Sequence, residues 1–273
     1  MKLKTVLVFL AIGFQAACSG SDGKKQAESE AAASKPKVEV YVDNGPKPQY
    51  WAMSNVSYPP FSFRNKDGFL TGLDIDLLNA IAEKERIEIK IMPQEMDSLF
   101  RRLDEDATDI ILGGINITPA RQQKYIFTQP YLNLFSAALV DKKVSGKLTS
   151  FSQLNGKTAG VVASSAYDML AKQAQFGAVK YFPNIYQGIT AMASGKVAAV
   201  YDNERVLDLY AANNPHLYIL KNTSSKVYFG FVLSKKNDVL KQRLDKGLEA
   251  IRKDGTYDKI LAKWGTEQVR GKI

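Results

Sequence analysis

Residues 109–118 read Asp109-Ile110-Ile111-Leu112-Gly113-Gly114-Ile115-Asn116-Ile117-Thr118. The apolar run that ends at Leu112 is too short for a helix and fits a strand from Thr108 to Leu112 buried on both faces. The glycine pair stops it and lets other groups approach the backbone closely. A second stretch, Ala198-Ala199-Val200-Tyr201, reads the same way and ends on Asp202. Strands covered on both faces belong to α/β folds with mainly parallel sheets, whose ligands bind at the carboxyl ends of strands. Here those ends carry Gly113-Gly114 and Asp202.

Working outward, strands and helices alternate. Upstream, β-prone residues 38–42 precede the turn signal Asn44-Gly45, and Gln49 to Met53 is a strand. Pro59 and Pro60 bar a helix in the loop from Asn55 to Phe61. Leu73, Leu77 and Ile81 recur every four residues and predict a helix from Leu73 to Arg86, with Asp74 and Asp76 in the first turn, where the helix dipole favours anions. Ile87 to Met92 is a strand and Leu99 to Leu103 a short helix. Beyond Tyr131 the pattern restarts, with strands at Ser136–Val140, Thr158–Ala163, Val179–Phe182 and Val227–Leu233. Helices are predicted at Ser165–Ala174, Ile185–Ser194, Asn203–Ala212, Val239–Arg252 and Tyr257–Trp264. The restart implies two α/β units, and no short repeat is visible.

The 273 residues suffice for two modest cores. The formal charge is +9, of which Lys2 and Lys4 supply two. The basic residues are spread along the chain with no dense run, which describes a solvated surface and no nucleic-acid partner. Met1-Lys2-Leu3-Lys4 followed by the apolar stretch Thr5 to Phe14 has the form of an export signal, too short to span a bilayer. Cys18 is the only cysteine, so no internal disulfide can form. Gln15-Ala16-Ala17-Cys18 resembles the lipobox of bacterial lipoproteins, with Gln15 where leucine is usual. That resemblance implies cleavage before Cys18 and acylation of its thiol. Ser19 to Pro36 holds no large apolar residue and reads as a flexible tether.

Four stretches resemble the polar amino-acid solute-binding proteins of bacterial ABC importers, the family 3 extracellular solute-binding proteins: Tyr58-Pro59-Pro60-Phe61-Ser62-Phe63; Gly72-Leu73-Asp74-Ile75-Asp76-Leu77; Asp109 to Thr118 with Arg121 and Phe127-Thr128-Gln129-Pro130-Tyr131; and Asp254-Gly255-Thr256-Tyr257 through Lys263-Trp264-Gly265. They fall in the family's order between about Gln49 and Gly265. The resemblance implies a two-lobe periplasmic-binding-protein-like fold whose lobes are joined by two hinge strands, near Ser136–Val140 and Val227–Leu233. Residues 1–17 would be the signal peptide and 18–36 the lipidated cysteine and tether. Residues 37–135 plus 231–273 would form lobe 1, and 136–230 lobe 2.

An α-amino acid needs a cation for its carboxylate and an anion for its ammonium. Arg121 supplies the first through its planar fork, on a turn that Thr118 can cap. Asp202 supplies the second, and it can also cap the helix that follows. The resemblance assigns ligand contacts to the carbonyls of Gly113 and Gly114 and to the side chain at Asn116. Ser164, Ser165 and Ala166, where the family more often has Gly-Thr-Thr, would open a helix whose free N–H groups suit a carboxylate. Asn55 and Tyr58 match family positions for an acid and for an aromatic ring stacked on the ligand. Asn55 is neutral, which argues against a basic ligand. Met96 falls where a bulky aromatic is frequent and would be adaptable.

The expected protein is a monomeric, lipid-anchored periplasmic or cell-surface binder, not an enzyme, with no cofactor and no metal. It touches the membrane only through its N-terminal lipid and passes a free L-amino acid to an ABC importer permease. Two other readings stay open. One is a dehydratase acting on prephenate or arogenate, with Glu204 as its acid; the other is a sensor or surface-interaction lipoprotein. His216 lies in a polar turn and reads as a surface residue.

Overall fold

The computed structural model describes residues 45–212 and 214–265. The signal, Cys18, the tether and the expected strand at 38–42 lie outside the described residues.

The first half of the chain runs β1 (Gln49–Asn55), β2 (Ser57–Tyr58), β3 (Ser62–Arg64), β4 (Leu70–Thr71), α1 (Leu73–Lys84), β5 (Glu88–Gln94), α2 (Met96–Asp104), β6 (Ile110–Leu112), α3 (Pro119–Lys124) and β7 (Tyr125–Phe127). The middle comprises β8 (Leu132–Asp141), α4 (Lys142–Ser145), β9 (Thr158–Val162), α5 (Tyr167–Gln173), β10 (Ala178–Phe182), α6 (Ile185–Ala193), β11 (Ala199–Asn203), α7 (Glu204–Ala211) and β12 (Leu217–Phe229). The chain closes with β13 (Val232–Ser234), α8 (Asp238–Lys253) and α9 (Thr256–Lys263).

Two five-stranded sheets result, one per lobe, ordered β5-β1-β6-β13-β7 and β10-β9-β11-β8-β12. β5, β1 and β6 are mutually parallel, as are β10, β9 and β11, while β13, β7, β8 and β12 pair antiparallel. Each sheet therefore has a parallel half and an antiparallel half.

The double burial expected of the short apolar strands is present. Ile110 and Leu112 face the main apolar cluster while Ile111 packs with Leu99, Leu103 and Val232 on the opposite face. In β8, Ala137 and Leu139 point one way and Ala138 and Val140 the other, the period-two alternation of a strand covered on both sides. Helix α1 buries Leu73, Leu77, Leu78 and Ile81 completely, in one cluster with Leu240, Leu244, Leu248 and Ile251 of α8.

The strand predicted from Val227 to Leu233 is not continuous. It breaks at Gly230 and Phe231, where the chain leaves the second sheet for the first. Its upstream part extends back to Leu217 and pairs along the whole of β8, with a register shift between Asn222 and Lys226. The two crossing segments bond to each other: Thr128 N–H donates to the Phe231 carbonyl, Phe231 N–H to Thr128 Oγ1 (3.0 Å), and Tyr131 N–H to the Phe229 carbonyl. Among the described residues no helix is long and apolar enough to cross a membrane, and no cluster of His, Cys, Asp and Glu could hold a metal.

Candidate functional site

The carboxyl ends of β1, β6, β9 and β11 converge between the sheets. Together they enclose a cavity lined by Asn55, Tyr58, Met96, Gly113, Gly114 and Asn116 from one side, and by Val162, Ser165, Tyr167 and Asp202 from the other. The space open to the centre of a water-sized sphere is about 20 Å³, room for about one water.

The glycine pair is fixed from behind. Asp74 is fully buried, and its Oδ2 accepts the N–H groups of Gly113 (2.9 Å) and Gly114 (2.8 Å). Burial pushes this carboxyl up to about 6, against the backbone donors and the Tyr131 hydroxyl, which lower it. Asp74 thus does more than stabilise the start of α1. Its companion Asp76 accepts from Lys263 Nζ (2.6 Å) and from the indole N–H of Trp264 (2.7 Å), tying α1 to the last helix. Neither glycine can be replaced freely. Gly113 has φ +109, and a Cβ there would sit 2.7 Å from that of Asn55; Gly114 has φ +72, and its Cβ would meet the Tyr58 ring at 2.5 Å.

On the opposite wall Asp202 is wholly buried. Its Oδ1 accepts from the Tyr58 hydroxyl, from the Asn203 backbone N–H (2.7 Å) and from Asn203 Nδ2 (2.9 Å). Its Oδ2 has no partner. Burial raises the Asp202 carboxyl to about 7, opposed by the Tyr58 and Asn203 donors. Asn203, not Asp202, caps α7, through Oδ1 to Val206 N–H at 3.0 Å. Two other buried polar atoms in the same cavity lack a bonded partner, Asn116 Nδ2 and the Tyr167 hydroxyl.

Arg121 lies at the edge and does not line the cavity. Thr118 Oγ1 accepts its backbone N–H at 3.2 Å, the expected cap. Its guanidinium stacks over Phe100 at 4.7 Å and spans the cleft, donating to the Asn116 carbonyl (3.0 Å) and the Ser164 carbonyl (3.1 Å). Among the described residues no carboxylate pairs with it. Burial lowers its pKa to about 10, so it stays charged at neutral pH.

The serines depart from expectation. α5 begins at Tyr167, so Ser164 and Ser165 form a turn before the helix, with Ser164 at φ +61 and Ala166 at the cap position. Ser165 Oγ accepts from Tyr167 N–H at 3.3 Å. The Tyr58 ring stacks on Phe61 at 5.4 Å, which in turn stacks on Phe229; its hydroxyl, as much as its face, belongs to the site. Glu204 is engaged elsewhere, accepting from Phe135 N–H (3.0 Å) and pairing with Lys221 (2.6 Å), and His216 does not reach the cavity.

Sequence reading missed Asp74, Tyr167 and Asn203. For Asp74 a signal existed: with Leu78 and Ile81 at four and seven positions on, it shares the apolar face of α1. Tyr167 carries no such mark and reads as a core tyrosine.

The sequence profile of bacterial extracellular solute-binding proteins, family 3, matches residues 52–267. A putative ABC transporter arginine-binding protein 2 of Escherichia coli K12 is 30% identical over 219 residues, covering 77% of this chain and 88% of that protein. The L-cystine-binding protein TcyJ of the same strain is 29% identical over 213 residues, covering 76% and 79%. Among solved structures, an ancestral arginine-binding protein bound to arginine superposes with a TM-score of 0.72 at 32% identity, covering 81% of this chain and 99% of that one. With its two sheets, its interlobe cavity and a profile match across most of its length, the chain belongs to the family 3 bacterial extracellular solute-binding proteins.

Proposed function

We propose that this protein captures a free L-amino acid between its lobes outside the cytoplasm and passes it to the permease of an ABC importer. The observation that carries this reading is the set of unpaired buried atoms in one cavity. Asp202 Oδ2 offers an acceptor for the ligand ammonium. Asn116 Nδ2 and the Tyr167 hydroxyl offer donors for its carboxylate, with the Arg121 charge alongside. Groups buried without partners are costly, and a zwitterion satisfies both signs at once. The relatives' names support the same reading, since those reported bind arginine or cystine. The engagement of Glu204 by Lys221 and Phe135 favours a binder over a dehydratase.

The remaining assignments belong to the same proposal. Residues 37–135 with 231–273 form the lobe that carries Asn55 to Arg121, and 136–230 the lobe that carries Ser164 to Asp202. Cys18 holds a lipid, and the protein works as a monomer. Loss of fatty-acid labelling in Cys18→Ser checks the anchor.

The decisive experiment is a thermal-shift screen of the purified protein, stripped of prebound ligand, against the twenty amino acids, cystine, ornithine and prephenate. A ligand that binds only the native state raises Tm. Removing one member of a buried charge pair costs about 2–5 kcal/mol, against about 8 kcal/mol for a micromolar site. Arg121→Ala should therefore weaken binding about thirtyfold or more and nearly abolish the shift at a fixed ligand concentration. Unchanged affinity in that variant, or no shift with any amino acid, would sink the reading.

A further inference from the structure

The stretch Gly72-Leu73-Asp74-Ile75-Asp76-Leu77 contains a charge whose task goes beyond holding a loop. Asp74 is fully buried, and no cationic side chain among the described residues pairs with it. A carboxylate stripped of water with no cation beside it is costly. Dipoles surround it instead: the amides of Gly113 and Gly114 on Oδ2 and the Tyr131 hydroxyl near Oδ1. Burial, and after it the Asp74 carboxyl, holds that hydroxyl well above its ordinary pKa, so it keeps its proton.

The geometry of the two amides is specific. Along a strand, successive N–H groups point to opposite edges. Those of Gly113 and Gly114 converge on one oxygen, at 2.9 and 2.8 Å, the concave arrangement in which consecutive amides hold an anion. It requires φ +109 at Gly113 and +72 at Gly114, which glycine adopts without steric cost. Among the described residues the only cis peptide bond is Pro59–Pro60. The Gly113–Gly114 peptide is therefore trans and planar, and its carbonyl points opposite to its N–H. Since that N–H faces Asp74, the Gly113 carbonyl faces away from Asp74. Both glycines line the inner cavity and Asp74 does not, so the side away from Asp74 is the side of the cavity. Asn55 and the Tyr58 ring close on the two glycines and leave the peptide little room to turn.

We infer that Asp74 is a positioning residue for the ligand's ammonium: it holds the Gly113–Gly114 peptide so that the Gly113 carbonyl is presented to the ammonium, and it places a second negative charge behind that peptide, opposite Asp202. This rests on the amino-acid reading above. It gives the site two carboxylates for one ammonium, one touching it and one acting through the backbone. An acid of the same shape that lacks the amino group gains nothing from either.

Gly113-Gly114 is the only Gly-Gly pair in the chain. The purified full chain, isotope-labelled at its glycine carbonyl carbons and amide nitrogens, therefore gives one signal in a carbonyl-to-amide NMR correlation, and it comes from this peptide. The probes are L-arginine, L-glutamine and L-alanine, extended to the tightest binder of the amino-acid screen, each paired with the carboxylic acid that lacks only its amino group. In the native protein the amino acid should move the carbonyl signal downfield, and its desamino partner at equal saturation should not. Titration calorimetry on the same pairs gives the preference for the amino group. Asp74→Ala should lower that preference about tenfold, as expected for a lost hydrogen bond to a charged group. Asp74→Asn, which keeps an acceptor and loses the charge, should lower it about threefold. A purely structural role would weaken both members of a pair equally and leave the preference untouched. If Asp74→Ala is poorly folded, Asp74→Asn and the native signal still decide. An unmoved signal with an amino acid bound, equal movement by both members of a pair, or an unchanged preference in the folded variants would overturn the inference and leave the amino-acid reading intact. No binding of any amino acid would overturn both.

Discussion

The hydroxyl of Tyr58 donates across the cleft to Asp202 Oδ1, and Asn203 Nδ2 donates to that same hydroxyl at 2.8 Å. One oxygen of the buried carboxylate is therefore committed to the protein, and the other has no partner. The Tyr58 proton stabilises the charged form of Asp202. In Tyr58→Phe that support is lost, and a hydrogen bond to a charged group is worth about 1.5–3 kcal/mol. Amino-acid affinity near neutral pH should fall about tenfold or more, and Tm should fall as well, because the bond is already made without ligand. Titration calorimetry measures the first and thermal unfolding the second.

Binding should depend on pH through the same carboxyl. Burial raises Asp202 from 3.8 to about 7 and Asp74 from 3.8 to about 6. The sign follows from proton counting. Between these values the folded, ligand-free protein holds protons that the unfolded chain has released, so this contribution to stability declines as pH rises from about 4 to about 7. A ligand ammonium requires ionised Asp202, and binding below that pKa expels the proton. Affinity should therefore rise from about pH 5.5 to about pH 8 and then level. A flat profile over that range would remove Asp202 as the ammonium partner.

Asp74 makes a separate prediction, about stability. Asp74→Ala strands the N–H groups of Gly113 and Gly114 in a buried site, and each unsatisfied donor costs about 1–3 kcal/mol. Urea denaturation should show a loss of about 3 kcal/mol with an unchanged slope. Asp74→Asn, which retains an acceptor, should lose less than half of that.

Gly114→Ala tests how closely the Tyr58 ring is packed on the backbone. The new Cβ meets the ring at 2.5 Å, at a φ of +72 that side chains avoid. Strain and overpacking of this kind cost about 1–3 kcal/mol. Because the atom that must move is part of Tyr58, ligand affinity should drop by a larger factor than stability alone accounts for. Melting temperature and calorimetry on the same preparation separate the two.

Much of this was readable from the chain because the deciding signals are local. The run ending at Leu112, the four-residue recurrence of Leu73, Leu77 and Ile81, and the cap Thr118 before Arg121 each encode their element within a few residues. What escaped is set by distant partners. Leu217 to Phe229 contains the polar run Asn222-Thr223-Ser224-Ser225, over which no strand pattern is legible; β8 pairs with the strand up to Asn222 and again from Lys226, so Thr223 to Ser225 bulge out of the ladder at the sheet edge, where polar side chains face water. The carbonyls that Arg121 grips belong to Asn116 and Ser164, and only folding brings the second within reach. Asp74 was visible as an acid on an apolar helix face, but its targets are about forty residues away.

The place of β13 has a consequence for the order in which the molecule can be completed. Val232 to Ser234 lie between β6 and β7, and β7 joins its sheet through β13 alone. Trp264, near the end of the described chain, seals α1 through Asp76. In chain order, every strand of the second sheet precedes the first sheet's fourth strand. The part synthesised first is thus finished last, with two strand edges open until residue 234 arrives. A chain truncated before that residue leaves the edges of β6 and β7 unpaired, and it is in that state, not after completion, that a chaperone or a protease would find it.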